Sequence, residues 1–214
     1  MSIVVVASMK GGAGKSTIAL NLAAEAARRG MRTLFVDADP QASASLFAAA
    51  RPADRPPFRT VRMGETLHRD LPDLAASFAL VIVDTPGVDA QVLRGALASA
   101  DVVLSPVRPA AADLWRAEDF LALVAKLGAK APPVALVLSQ VPPRTRLAAE
   151  AAEHLASIAD RDGVRLLPSR IGSRAVWAES GGAGLAVTEL EPHGAAAQEL
   201  LALWTALDLP RGDK

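Results

Sequence analysis

The 214-residue chain contains no cysteine. That excludes a disulfide scaffold, a thiolate metal site, an iron–sulfur cluster and a cysteine nucleophile. It contains no tyrosine, which excludes tyrosine phosphorylation, and its 3 histidines are a poor basis for a histidine metal centre. Neither sign of charge is in excess, since 23 Lys and Arg balance 23 Asp and Glu. The total points to neither nucleic acid nor membrane, although net charge says nothing of how charge is distributed. No apolar run approaches the ~20 residues of a membrane span. The apolar start Met1–Met9 has no positive segment before it and does not read as a signal peptide. The expected location is the cytoplasm.

What is present is a 51% hydrophobic fraction in a length that suits one domain of roughly 100–250 residues. Short apolar runs alternate with stretches of helical period. Strands are expected at Ile3–Ala7, Thr33–Val36, Leu80–Val83, Val102–Leu104 and Val134–Leu138. Helices are expected at Ser16–Arg29, Val92–Ala98, Asp113–Leu127, Arg146–Ala159 and Ala195–Leu207. The strands are continuously apolar rather than alternating, which suits a parallel sheet covered on both faces. The expected fold is a single doubly wound α/β domain, with a mostly parallel sheet and helices on both faces. The proline- and arginine-rich stretch Arg51–Arg69 reads as a surface connection with one short edge strand near Arg59–Arg62. Gly181-Gly182-Ala183-Gly184 reads as a flexible turn after a short helix.

Lys10-Gly11-Gly12-Ala13-Gly14-Lys15-Ser16-Thr17 lies between the first strand and the first helix, the context a phosphate loop requires, so the expected fold is that of a P-loop NTPase. Glycines let backbone N–H groups curl around an anion, and the helix N-terminus adds the positive end of its dipole. Lys15 is placed for the β- and γ-phosphates, the Ser16 hydroxyl for Mg²⁺, and Thr17 for the α-phosphate. Two further strand ends carry acids, in Asp37-Ala38-Asp39-Pro40-Gln41 and Asp84-Thr85-Pro86-Gly87. In an open parallel sheet such ends border the site. Asp84 reads as the aspartate that holds Mg²⁺, through water because Mg²⁺ dehydrates reluctantly. Asp37 reads as support for the metal or for Ser16, and Asp39 as the group that orients the attacking water. Phosphoryl transfer needs mainly positioning and charge neutralisation, which this set supplies.

One departure sharpens the motif. The pattern G-x-x-x-x-G-K-[ST] wants glycine where this chain has Met9, and a second lysine, Lys10, follows. The loop resembles the deviant Walker A loop of the ParA/MinD group of ATPases. The resemblance implies that Lys10 reaches across a nucleotide-sandwich dimer to the other subunit's phosphates, coupling dimerisation to ATP. The D-x-D-P-Q and D-T-P-G segments resemble the family's switch regions, although Ala42-Ser43 stands where Gly-Asn is usual. Ser105-Pro106-Val107-Arg108-Pro109 with Asp113-Leu114-Trp115 resembles a segment that begins a helix near the family's dimer interface. Trp115 reads as core or interface packing rather than chemistry. Ser139, Gln140 and Pro168 fall where relatives approach the adenine. Arg170, Arg174, Glu179 and Gly184 match the closing pattern, with Trp177 for the usual Phe. The likeness is to short ParA-type ATPases of the ParF-like plasmid partition and cargo-positioning group, and it is weakest over Arg51–Asp73.

This resemblance implies a homodimer in the ATP state, with ATP and Mg²⁺ as ligands and non-specific nucleoid DNA as a partner. It also implies a ParB/ParG-like adaptor or cargo protein that stimulates a slow hydrolysis. Arg144, Arg146, Arg161, Arg165, Arg170 and Arg174 cluster in sequence as candidates for tracking DNA phosphates. No aromatic residue interleaves with them to stack bases. The missing residue types now separate relatives that share the loop. Iron–sulfur members need cysteines, and bacterial tyrosine kinases need a tyrosine-rich tail. MinD-type proteins end in a basic amphipathic membrane helix, whereas Ala195–Leu207 contains Glu199 and lacks a basic face; its apolar face is expected to close the core. The alternative is a metabolic enzyme of the same fold, an ATP-dependent ligase or amidotransferase type. Such an enzyme would need a further substrate pocket and has no evident use for Lys10.

Overall fold

The computed structural model describes residues 1–39, 43–87, 90–143, 145–160 and 162–210, with 43 and 90 described by backbone alone. Ser2–Val6 (β1) leads through a glycine loop into Lys15–Arg28 (α1), and Thr33–Asp37 (β2) precedes Ser43–Ala50 (α2). Arg59–Arg62 (β3), Leu67–Ala75 (α3), Leu80–Asp84 (β4) and Ala90–Ala98 (α4) follow. Val102–Val107 (β5), Ala111–Ala125 (α5), Val134–Val141 (β6) and Leu147–Ile158 (α6) continue the alternation. Val164–Gly172 (β7), Ala175–Ala183 (α7), Val187–Leu190 (α8) and Ala195–Ala206 (α9) complete it.

The strands form one sheet in the order β3-β2-β4-β1-β5-β6-β7, with every neighbouring pair parallel. Alternate side chains go to opposite faces, and both faces are covered. Val4 and Val6 of β1 join one core with residues of α1, α2, α7, α8 and α9. Ile3 and Val5 join the other with α3, α4, α5 and α6. This explains why β1, β2 and β4 read as unbroken apolar runs. The apolar face of α9 closes the first core through Ala196, Leu200, Leu203 and Trp204, as its periodicity predicts.

The site is fixed by topology. β1 lies between β4 and β5, so the connections diverge at its carboxyl end, the place where open α/β sheets bind ligands. The register sets Asp84 beside both Val6 and Asp37. Three chain segments of distant sequence are thereby brought to one edge.

The structure corrects several expectations. β6 continues through Ser139 and Gln140 to Val141, past the Leu138 end that the apolar run suggests. The long strand β7 is absent from the pattern because Arg165, Pro168 and Arg170 interrupt its apolar residues; a sheet edge tolerates both proline and charge. Gly181 and Gly182 are not a turn but the last full turn of α7, where Ser180 is fully buried. The break falls at Gly184, whose φ of +64° is the left-handed conformation that ends helices. Trp115 is 65% exposed, which removes the core-packing reading and leaves the interface one.

Candidate nucleotide site

The loop from Ser8 to Gly14 carries two left-handed glycines, Gly12 at φ +76° and Gly14 at φ +89°. Gly14 is the N-cap of α1 and contributes no side-chain cap, and the first turn of α1 has no acid. The first N–H groups of α1 are therefore left for an external anion, at the positive end of the helix dipole. Lys15, only 7% exposed, opens the helix and donates to the Lys10 carbonyl oxygen at 3.1 Å. Burial lowers the pKa of its ammonium, against the opposing pull of Asp84 and Asp39. A ligand phosphate would add counter-charge to this buried cation.

Asp84 is the most perturbed acid. Burial pushes its pKa up to about 7, although a hydrogen bond from Ser16 and the Lys15 charge favour the carboxylate, and Asp37 and Asp39 add like charge. Its Oδ1 is buried without a hydrogen-bond partner among the described residues. A buried acceptor left unmade costs about 1–3 kcal/mol, and more for a charged group, so such an atom marks a place built for something else. The neighbouring Thr85 hydroxyl donates to the Val6 carbonyl at 3.0 Å and locks this strand end to β1.

Asp37 is also buried and its pKa is raised, first by desolvation and opposed by backbone N–H bonds. It accepts from Asp39 N at 3.2 Å and Ala44 N at 3.3 Å. It thus joins the end of β2 to the start of α2 across the switch-like segment, whose Pro40, Gln41 and Ala42 lie outside the described residues. Asp39 is half-buried, and its charge acts on both Lys15 and Asp84. Gly87 lies against the same loop: a Cβ there would sit 3.5 Å from Gly11 N and 3.6 Å from Lys15 Nζ.

Among the described residues, no three His, Cys, Asp or Glu side chains form a metal cluster by themselves. Mg²⁺ does not require such a cluster, since it is commonly bound by one or two carboxylates together with waters and ligand phosphates. The orphaned Asp84 oxygen beside the Ser16 hydroxyl is the right chemistry for it, and Asp37 sits in register beside them.

Ser139 and Gln140, expected near the base, line a cavity of about 230 Å³ next to Gly14, Thr17 and Ile18. Their polar atoms are engaged by the loop itself. Ser139 Oγ donates to the Ala13 carbonyl at 2.9 Å, and Gln140 Nε2 to the Gly12 carbonyl at 2.6 Å. Gln140 holds φ +53°, an uncommon conformation for a residue with a side chain, at a register shift between β6 and β7. These two residues brace the phosphate loop from β6, two strands away from β1. Pro168 is exposed in the middle of β7 and is not among the cavity's lining residues. The rest of the lining, Ile171, Gly172, Ser173, Arg174, Trp177 and Ala178, follows from the unforeseen strand β7, and only Arg174 and Trp177 carry a motif signal.

Lys10 is 36% exposed and paired at 3.0 Å with Asp113, which Arg108 also holds at 2.8 Å. Of the six candidate DNA-contacting arginines, Arg146, Arg165 and Arg170 are exposed. Arg174 lines the cavity and pairs with Glu199 at 2.8 Å. Arg144 and Arg161 lie outside the described residues. None of the helices is long and apolar enough to cross a membrane among the described residues.

A family model described as the CobQ/CobB/MinD/ParA nucleotide binding domain matches residues 4–184. The chain belongs to that family. It is 37% identical over 129 residues to protein ParA of Rhizobium radiobacter, covering 59% of this chain and 57% of that one. That match therefore spans little more than half of the relative's length. Over 206 residues it is 29% identical to maintenance of carboxysome distribution protein A of Halothiobacillus neapolitanus, covering 91% of this chain and 90% of the relative. The septum site-determining protein MinD of Pyrococcus horikoshii, solved in complex with Mg-ADP, shares the fold with a TM-score of 0.79. That match is at 18% identity and covers 97% of this chain and 96% of that one.

Proposed function

We propose that this protein is a ParA-type ATPase that works as an ATP-switched dimer to segregate or position a cargo. The observation that carries the reading is a phosphate loop with two lysines, Lys10 and Lys15, faced by the buried acids Asp37 and Asp84 at adjoining strand ends. Lys15 and the uncapped N–H groups of α1 bind the β- and γ-phosphates. Thr17 lies next along the helix, for the α-phosphate. Mg²⁺, held by Ser16 and Asp84 and supported by Asp37, would supply charge neutralisation on the terminal phosphates. Asp39 orients the attacking water, and Lys10 contributes its charge to the other subunit's nucleotide.

Two facing polyphosphates repel, so a dimer of this kind forms only when added cations offset the charge. That requirement gives Lys10 a use that a metabolic enzyme lacks. The ATP dimer doubles any arginine patch, so Arg146, Arg165 and Arg170 act as a DNA surface on a chain of zero net charge. A partner protein that stimulates hydrolysis releases the dimer from the nucleoid. The protein's place is then the nucleoid surface in the cytoplasm.

The direct test is calorimetric titration with ATP and Mg²⁺ alongside phosphate release. Wild type should bind and turn over slowly, Lys15→Ala should lose binding, and Asp39→Ala should bind but not turn over. Normal turnover by Asp39→Ala would remove the water-orienting role. No binding by wild type would remove the nucleotide reading altogether.

A further inference from the structure

Glu199 lies on α9, 27 residues beyond the end of β7, and is not itself a lining residue of the cavity beside the phosphate loop. Yet three of that cavity's wall residues hang on its carboxylate. Gly172 N donates to Oε2 at 3.0 Å, Arg174 donates from Nε to Oε1 at 2.9 Å, and Trp177 Nε1 donates to Oε2 at 3.3 Å. Arg174 Nη2 adds a contact to Oε1 at 2.8 Å, so two guanidinium nitrogens converge on the same carboxylate oxygen. The side chain is only 17% exposed, so these bonds are poorly screened on the carboxylate side. The fit around it is close: a Cβ on Gly172 would come within 2.9 Å of Glu199 Oε1 and 3.0 Å of Arg174 Nε.

The phosphate-loop side of the cavity is formed by Gly14, Thr17 and Ile18, and Ser139 and Gln140 of β6 brace that loop. The opposite wall is the turn from β7 into α7, a connection between an edge strand and a short helix. Its backbone is tied to β6, where Val141 pairs with Gly172 and its carbonyl accepts from Ser173 N at 2.9 Å. Glu199 holds the side chains of the turn from outside.

We propose that Glu199 is the positioning residue of the base-binding side of the nucleotide site. By holding Gly172, Arg174 and Trp177 it sets the affinity for the nucleoside part of the ligand, separately from the phosphate part. This rests on the nucleotide reading given above. In Glu199→Gln one acceptor oxygen survives for Gly172 and Trp177, but the new amide N–H₂ faces the Arg174 guanidinium, donor against donor. In Glu199→Ala all the bonds go.

The test compares ATP, ADP and inorganic tripolyphosphate as titrants of wild type, Glu199→Ala, Glu199→Gln and Arg174→Gln, the last approaching the contact from its more exposed end. Glu199→Ala should weaken ATP and ADP about tenfold, the equivalent of 1.4 kcal/mol, and tripolyphosphate by less than about twofold. Glu199→Gln should recover part of the loss, and Arg174→Gln should reproduce the same selectivity. In turnover the loss should fall on KM rather than kcat. ATP affinity unchanged in Glu199→Ala would overturn the inference, as would an equal loss of ATP and tripolyphosphate in a variant with wild-type circular dichroism. If wild type itself bound ATP no better than tripolyphosphate, the base pocket, and with it the nucleotide reading, would be wrong.

Discussion

Lys10 Nζ donates a hydrogen bond to Asp113 Oδ2 at 3.0 Å, tying the phosphate loop to the first turn of α5. A lysine that serves another subunit's nucleotide must first leave this carboxylate. Lys10 is 36% exposed, so screening holds the pair to under about 1 kcal/mol, weak enough to be exchanged for a phosphate. Asp113→Asn should free Lys10 and shift the ATP-dependent monomer–dimer balance toward dimer several-fold by sedimentation. A dimer constant equal to wild type would mean that the pair exerts no hold.

The same contact has a pH signature. Burial alone would raise the pKa of Asp113, but hydrogen bonds from Arg108 and Lys10 outweigh it and the net value is lowered. A depressed folded pKa stabilises the fold above the unfolded pKa, and that contribution fades as pH falls through the folded value. The latch therefore holds at neutral pH and releases only below the ordinary carboxylate range. Acid unfolding of Asp113→Asn should lack this component, measured by circular dichroism between pH 5 and pH 2 as an approximate window.

Asp84 runs the other way. Its folded pKa is raised from 3.8 to about 7, so the nucleotide-free fold loses stability as pH rises through that interval. Asp84→Asn should remove a penalty on the order of 4 kcal/mol at pH 8, raising Tm while abolishing turnover. Wild-type Tm should fall from acid to alkaline pH, and that of Asp84→Asn should stay nearly flat. A lower Tm for the variant at pH 8 would contradict the reading of this aspartate as a strained, metal-awaiting group.

Gly184 tests the packing that supports the cavity wall. A Cβ there would lie 2.3 Å from Arg51 N and 2.5 Å from Ala50 C, both backbone atoms that cannot swing aside, at φ +64°. Arg51 also donates to the Gly184 carbonyl at 2.9 Å and pairs with buried Glu189 at 3.0 Å. Gly184→Ala should cost more than about 3 kcal/mol in urea unfolding. A cost below about 1 kcal/mol would show that α2 and α7 can separate freely.

Much of this site was legible in the sequence, for a physical reason. The loop Lys10–Thr17 and the acids Asp37 and Asp84 sit at the ends of buried parallel strands, where apolar runs are unbroken and the next residue must be polar. The cavity beside the loop was legible only in part: Ser139 and Gln140 line it, but its β7 wall was not foreseen. β7 carries Arg165, Pro168 and Arg170 because it is an edge, and an edge strand does not read as an apolar run. α3 was hidden by Pro72 inside it, although Leu67, Leu71 and Ala75 are buried at helical spacing. Glu199 gave no local signal at all; its role comes from a fold-level contact between α9 and the end of β7.

The central claim is that ATP, acting through Lys10, switches a DNA-binding dimer. The most direct measurement is retention of non-specific DNA by wild type, Lys10→Ala and Asp39→Ala, each with Mg²⁺ and ATP or ADP, over a range of salt. Wild type should bind DNA salt-sensitively in ATP only, Lys10→Ala should lose that binding, and Asp39→Ala should keep it without turnover. Equal retention in ATP and ADP, or undiminished retention by Lys10→Ala, would contradict it.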